Sequence, residues 1–183
     1  MEKIPPPAVK IVPVTDKEQA EMANEIIEVV LTGGRIEKVI NEEIGRLNYA
    51  DTSFKSWVEQ GHCPHNFSKH LLMLKDSQDI TDTDLEAIVA CCTHTPGKRV
   101  LIAHGVNTMI RTAQYLQQFE IPKTIVLFGA FVPYSLNKSD AVFNFGSALA
   151  ASQILPHGVY IAMNGNVIAA DQAKRDANGN FIV

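Results

Sequence analysis

LIAHGVNTMIRTA, residues 101–113, begins as a buried strand and ends as the first turns of a helix. Leu101, Ile102 and Ala103 form a short, unalternating apolar run, the pattern of a strand covered on both faces. Between strand and helix sits His104-Gly105-Val106-Asn107-Thr108, a set of small and polar residues that packing alone does not require. A strand that passes through such a turn into a helix is half of a βαβ unit, and the rest of the chain decides whether the unit repeats.

It repeats on both sides. Residues 26–31 read as a strand ending in Thr32-Gly33-Gly34, and residues 71–74 as a strand followed by Asp76-Ser77-Gln78-Asp79. Thr81 with Asp84 three residues on resembles a capping box for a helix over 85–92, which Thr95-Pro96-Gly97 breaks. Residues 100–103 read as strand, 108–119 as helix and 124–128 as strand. Ser139-Asp140 can cap a helix running to Leu155, and Pro156-His157-Gly158 leads into a strand over 159–163. Asn164-Gly165 is a turn signal, so the last residues fold back as a hairpin or a loose tail. Residues 41–69 show no clean period, hold Gly45 and Gly61, and read as a long loop with some helix around 53–59. Residues 1–23, with Pro5-Pro6-Pro7 favouring polyproline II, read as an extension, which leaves 24–183 as one domain.

The alternation predicts an α/β fold: a three-layer, Rossmann- or flavodoxin-like parallel sheet with helices on both faces, in a single domain. Ligands of such sheets bind beyond the carboxyl ends of the strands. Four clusters fall there, and the fold collects them on one rim: Thr32 to Arg35, Ser77 to Asp79, His104 to Thr108, and Gly129-Ala130.

Composition narrows the function. The 183 residues are 46% hydrophobic with a formal charge of −4, which carries no basic stripe for nucleic acid. No apolar run is long enough for a membrane span. The start MEKIPPPAVKIVPV has neither a secretory h-region nor transit-peptide character, so a cytoplasmic location is expected, with Cys63, Cys91 and Cys92 reduced. Gly33-Gly34 matches neither a dinucleotide fingerprint nor a phosphate loop, and no G-x-S-x-G elbow is present. The group His62, Cys63, His65 and His70, with Cys91, Cys92 and His94, fits no standard zinc spacing, so neither metal nor cofactor is expected. His104 reads as a hydrogen-bonded core residue or a general base. Helix N-termini behind small residues suit a small anion, although Ser77, Thr81 and Thr108 also serve as ordinary caps.

Taken as an ordered set, Thr32-Gly33-Gly34, Asp76-Ser77-Gln78-Asp79, Ala103-His104-Gly105-Val106-Asn107-Thr108-Met109, Gly129-Ala130 and Ser139-Asp140-Ala141-Val142-Phe143-Asn144 resemble the N-terminal domain of bacterial-type L-asparaginases. The closing run GVYIAMNG, residues 158–165, belongs to the same resemblance, which covers roughly residues 25–178 and is closest to short, single-domain members. The resemblance implies hydrolysis of a side-chain amide by two threonines, one after each of two strands, with an Asp and a Lys assisting the second. It also implies a Ser-Gln pair that grips the substrate carboxylate, an Asp that holds the α-ammonium, and self-association as dimer or tetramer.

The chain departs from that pattern at the reacting positions. Arg35 stands at the first threonine, Val106 at the second and Asn107 at the Asp, while Ser77 and Gln78 are retained and Lys174, or Arg175 beside it, stands near the family's lysine. Valine is nearly isosteric with threonine, so the turn keeps its shape and loses its hydroxyl. The pocket shifts by two charges toward positive. The expected site is therefore a degenerate one, with Asn107 and Lys174 as the remnants of the catalytic set. Gly34, Arg35, Ser77, Gln78, Gly105, Val106, Asn107 and Ala130 are expected to line a site for a small carboxylate or amino-acid-like ligand. Two alternatives stand beside it: amide hydrolysis through a substitute hydroxyl (Thr32, Thr108, Ser77 or Tyr49), and a protein-interaction module built on residues 1–23 and 41–69.

Overall fold

A computed structural model of the protein describes residues 25–183; the expected extension, residues 1–23, lies outside them. The main sheet has six strands: β1 (Ile27–Gly33), β4 (Phe67–Lys75), β5 (Arg99–Ala103), β6 (Thr124–Phe128), β7 (Gly158–Met163) and β8 (Asn166–Ala169). Their spatial order is β4-β1-β5-β6-β7-β8. The first five are parallel and β8 runs antiparallel to β7, so the sheet is mixed at one edge only. The helices are α1 (Phe54–Gln60), α2 (Asp82–His94), α3 (Met109–Gln117) and α4 (Ala141–Ile154).

Strand periodicity divides the core in two. Val30, Val100, Ile102, Ile125 and Leu127 face a cluster completed by Leu85 and Ile88 of α2 and by Met109 and Leu116 of α3. Val29, Leu31, Leu101, Val126 and Phe128 face the other way, onto Trp57 of α1 and Phe145 of α4. Successive strand residues point to opposite faces, so an unalternating apolar run is what a strand buried on both sides needs. Helix α2 starts at the anticipated capping box, where Asp84 N–H donates to Thr81 Oγ1 at 3.2 Å and Thr81 N–H donates to Asp84 Oδ2 at 2.8 Å.

Two expectations need correction. Residues 41–69 are not mainly loop: β2 (Lys38–Asn41) and β3 (Arg46–Tyr49) form an antiparallel hairpin, and α1 follows. Of the expected Ser139-Asp140 cap, Ser139 serves, its Oγ accepting from Ala141 N–H at 3.1 Å, whereas the Asp140 carboxylate accepts from Phe131 N–H at 3.1 Å and Val132 N–H at 2.9 Å and does not cap α4. The end of the chain forms hairpins, first β7-β8 through Asn164-Gly165 and then β9 (Lys174–Arg175) with β10 (Phe181–Ile182).

In chain order the five parallel strands stack 2-1-3-4-5. The chain leaves β1 for the edge strand β4 on one side and then crosses to β5 on the other. That reversal opens a crevice beyond the carboxyl ends of β1 and β5, where the polar turns of this sequence lie.

Candidate functional site at the strand ends

The crevice is closed by turns packed so tightly that they exclude side chains. Gly33 and Gly34 leave β1 with φ of 94° and 78°, and Gly34 N–H donates to Lys75 O at the end of β4 at 2.8 Å. A Cβ on Gly34 would overlap the backbone N and Cα of Gly105. One on Gly105 would lie 2.7 Å from the Ser77 hydroxyl oxygen. One on Gly129 would overlap the carbonyl oxygen of His104, whose own N–H donates to Phe128 O at 2.8 Å. The ends of β1, β4, β5 and β6 are thus brought into contact, and the four clusters named from the sequence share one rim.

Ser77, Val106 and Ala130 are buried there, and Arg35, Gln78 and Asn107 are exposed at its mouth. Arg35 opens a 3-10 turn (Arg35–Glu37) and donates from Nη1 to Phe131 O at 3.0 Å. Of the two basic residues near the family's lysine, Arg175 reaches the rim, whereas the Lys174 side chain is exposed. Arg175 Nη2 donates to Val106 O at 2.8 Å, and its guanidinium carbon lies 4.6 Å from the Phe181 ring centroid and 5.9 Å from that of Phe131. The guanidinium is therefore held by two aromatic faces as well as by a hydrogen bond. Its Nε is buried without a partner among the described residues.

Two of the four rim hydroxyls, those of Thr32 and Thr108, are engaged. Thr32 Oγ1 donates to Ala103 O at 2.9 Å, and Thr108 Oγ1 donates to Ser77 O at 2.7 Å. The Tyr49 hydroxyl is buried with no hydrogen-bond partner among the described residues. Burial and the neighbouring Asp76 carboxylate push that phenol above its usual range, so it stays protonated. His104 is fully buried, with Nδ1 2.8 Å from Gly105 O and Nε2 3.0 Å from Thr112 Oγ1. Burial pulls its pKa down to about 4, which makes it a neutral structural residue with no rim hydroxyl in reach.

Asp140 and Asn144 hold the far side of the rim. Asn144 Nδ2 donates to Asp140 Oδ2 and to Gly129 O, both at 2.9 Å, and its Oδ1 accepts from Asn164 N–H at 3.0 Å. The Ser-Asp-Ala-Val-Phe-Asn run is thus a brace tying the β6 turn to the β7-β8 turn. Phe131 and Phe181, which position the two arginines, have no signal in local sequence; Phe131 is marked only by following Gly129-Ala130. Among the described residues no three His, Cys, Asp or Glu side chains converge as a metal site, and no helix is long and apolar enough to cross a membrane.

Comparison with known proteins places this geometry. The family model for the asparaginase N-terminal region matches residues 26–181. Among solved structures, L-asparaginase I from Vibrio cholerae O1 biovar eltor str. N16961 is 23% identical with a TM-score of 0.74 over 87% of this chain and 51% of that one. The thermostable L-asparaginase from Thermococcus kodakarensis is 22% identical (TM-score 0.73; 82% of this chain, 47% of that one). A probable cytoplasmic L-asparaginase from Campylobacter jejuni is 23% identical (TM-score 0.73; 86% and 51%). The chain therefore spans about half the length of these structures, and at such identity the likeness speaks for the fold. No curated protein sequence matches it. With the family match covering most of its residues, the chain belongs to the asparaginase family and carries the fold of that family's N-terminal domain.

Proposed function

We propose that this asparaginase-family domain binds a small carboxylate at the strand-end rim and lacks efficient amide hydrolysis. The observation that carries the reading is the pair Arg35 and Val106: a guanidinium tied to Phe131 O and a buried alkyl group stand where the resemblance puts the two nucleophilic hydroxyls. Acyl transfer of this kind needs a hydroxyl with a base in reach. Thr32 and Thr108 point their protons at backbone carbonyls, the Tyr49 phenol is held protonated, and His104 is sealed in the core. In a serine hydrolase, loss of the nucleophile costs about a millionfold in turnover, leaving roughly 10³ to 10⁴ over water.

What supports carboxylate binding is the donor set left behind. Ser77 stays at the base of the rim, Gln78 at its mouth, and Arg35 adds a cation with unused N–H donors, suited to paired hydrogen bonds with a carboxylate. Crystals soaked with aspartate or succinate should show a carboxylate within hydrogen-bond distance of Arg35 and Ser77. An empty rim, with Arg35 turned into solvent, would contradict the reading.

A further inference from the structure

We propose that the rim selects a dianionic ligand without an amino group, a small dicarboxylate, over an amino acid; this rests on the carboxylate-site reading above and names the ligand class for the same site. The inference comes from how the charges are paired. Lys38, Lys75, Arg99 and Arg111 each meet a carboxylate, respectively Asp76 at 2.7 Å, Asp84 at 2.8 Å, Glu25 at 2.9 Å and Asp82 at 2.7 Å. Arg35 and Arg175 do not. Each donates to a backbone carbonyl, and among the described residues neither has a carboxylate within ion-pair distance. A carbonyl oxygen satisfies one N–H and leaves the unit charge in place, so two guanidinium groups stand at one rim without an ion-pair partner among the described residues.

Both are also fixed. Phe131 takes part in both anchors, with its carbonyl bonded to Arg35 and its ring 5.9 Å from the Arg175 guanidinium carbon. Arg175 is further bonded to the carbonyl of Val106, which directly precedes Asn107. Cations held in place before a ligand arrives lose little freedom on binding it.

None of the neighbouring acids among the described residues is ion-paired with either arginine. Asp76 is paired with Lys38, while Asp140 and Asp176 keep their charge but have their oxygens occupied by neutral donors: Phe131 N–H, Val132 N–H and the Asn144 amide for the first, Asn178 N–H, Asn180 N–H and the Asn180 amide for the second. Glu37 is buried, accepts from Thr52 Oγ1 at 2.8 Å and Ser53 N–H at 2.7 Å, and has its pKa raised by burial. Asp79 is exposed, as is Arg35, so water and salt screen both charges and leave hydrogen bonding to the guanidinium as the selective contact. At the mouth itself stands the neutral amide of Asn107, which offers an ammonium no opposite charge. An amino acid would bring one carboxylate too few or one ammonium too many.

The test is calorimetric titration of the whole chain, at fixed ionic strength, with succinate, L-aspartate and butyrate. Succinate should bind about tenfold or more tightly than either of the others, the ratio expected when one charge-assisted hydrogen bond is gained or lost. Arg35→Gln, a change at an exposed side chain, should lower succinate affinity to near that of butyrate. Asn107→Asp should swing the aspartate-to-succinate ratio toward aspartate by about tenfold or more. Aspartate binding as tightly as succinate, butyrate matching succinate, or an unmoved ratio in Asn107→Asp would each overturn the selection while leaving a carboxylate site standing. No heat from any of the three ligands would overturn both.

Discussion

Gly34→Ala tests the packing that builds the rim. Gly34 has φ 78° and ψ 179°, a region essentially reserved for glycine, and residues forced into it cost about 1 to 3 kcal/mol. The added Cβ would also overlap the Gly105 backbone, which cannot swing aside as a side chain can. Overpacking of this kind costs about 1 to 3 kcal/mol more. The sum, roughly 2 to 6 kcal/mol, is a large share of an ordinary domain's 5 to 15 or so. At roughly 2 to 4 °C per kcal/mol for a chain of this size, Tm should fall by about 4 to 24 °C. Gly146→Ala supplies the contrast, since Gly146 lies inside α4 with open space where a Cβ would go. It should gain about 0.5 to 1 kcal/mol from the helix preference alone. Urea unfolding of both variants beside the native chain, with m unchanged, reads the two effects. A Gly34→Ala midpoint equivalent to less than about 0.5 kcal/mol of destabilisation would refute the claim that contact between these turns shapes the site.

Acid should act on two named groups. The Lys75 ammonium, with the Thr81 backbone N–H and hydroxyl, holds the Asp84 carboxyl at about 2 against an ordinary 3.8. A depressed carboxylate contributes stability above its unfolded value and loses it as pH falls from about 4 to 2. For this partly exposed pair we expect about 1 kcal/mol, visible as a gap between native and Asp84→Asn chains at pH 6 that has closed by about pH 2; a gap independent of pH would count against it. For His104 the sign works differently: burial lowers its pKa from 6.5 to about 4, so the unfolded chain takes up the proton first. Its contribution is therefore constant above about pH 6.5 and falls by up to about 3 kcal/mol as pH drops to 4. Its ring NMR signals should stay unmoved from pH 8 to 5, and a midpoint near 6.5 would contradict its sealed position. Thr32→Val and Thr108→Val should leave any ammonia release unchanged, because both hydroxyls already donate to carbonyls; abolition by either would identify it as a substitute nucleophile.

The buried half of the fold was legible because its constraint is written locally. Leu101 to Ala103 and residues 124–128 are apolar runs bounded by turn residues, and the Thr81-Asp84 cap is a four-residue pattern whose two bonds both form. The edge was not legible in the same way. β4 extends from Phe67, several residues ahead of the apolar run at 71–74, because an edge strand tolerates Ser68, Lys69 and His70. His70 even finds a buried carboxylate, with Nε2 2.7 Å from Glu28 Oε2. The β2-β3 hairpin carries no clear signal in the sequence because none of its residues is buried, with Ile40 and Leu47 outward, so burial imposes no period on it. At the rim, the ends of four strands could be listed from the sequence, since small residues mark where backbones meet. The choice of Arg175 over Lys174 could not, because it depends on which strand face of β9 turns toward Phe131 and Phe181.

The central claim is that this rim has kept its shape and lost its chemistry, and ammonia release from L-asparagine at high protein concentration tests it most directly. The native chain is compared with the triple variant Arg35→Thr/Val106→Thr/Asn107→Asp. Background release is expected from the native chain and a gain from the variant, whose two hydroxyls and one carboxylate restore the groups that the resemblance implies. Turnover by the native chain well above background would contradict it.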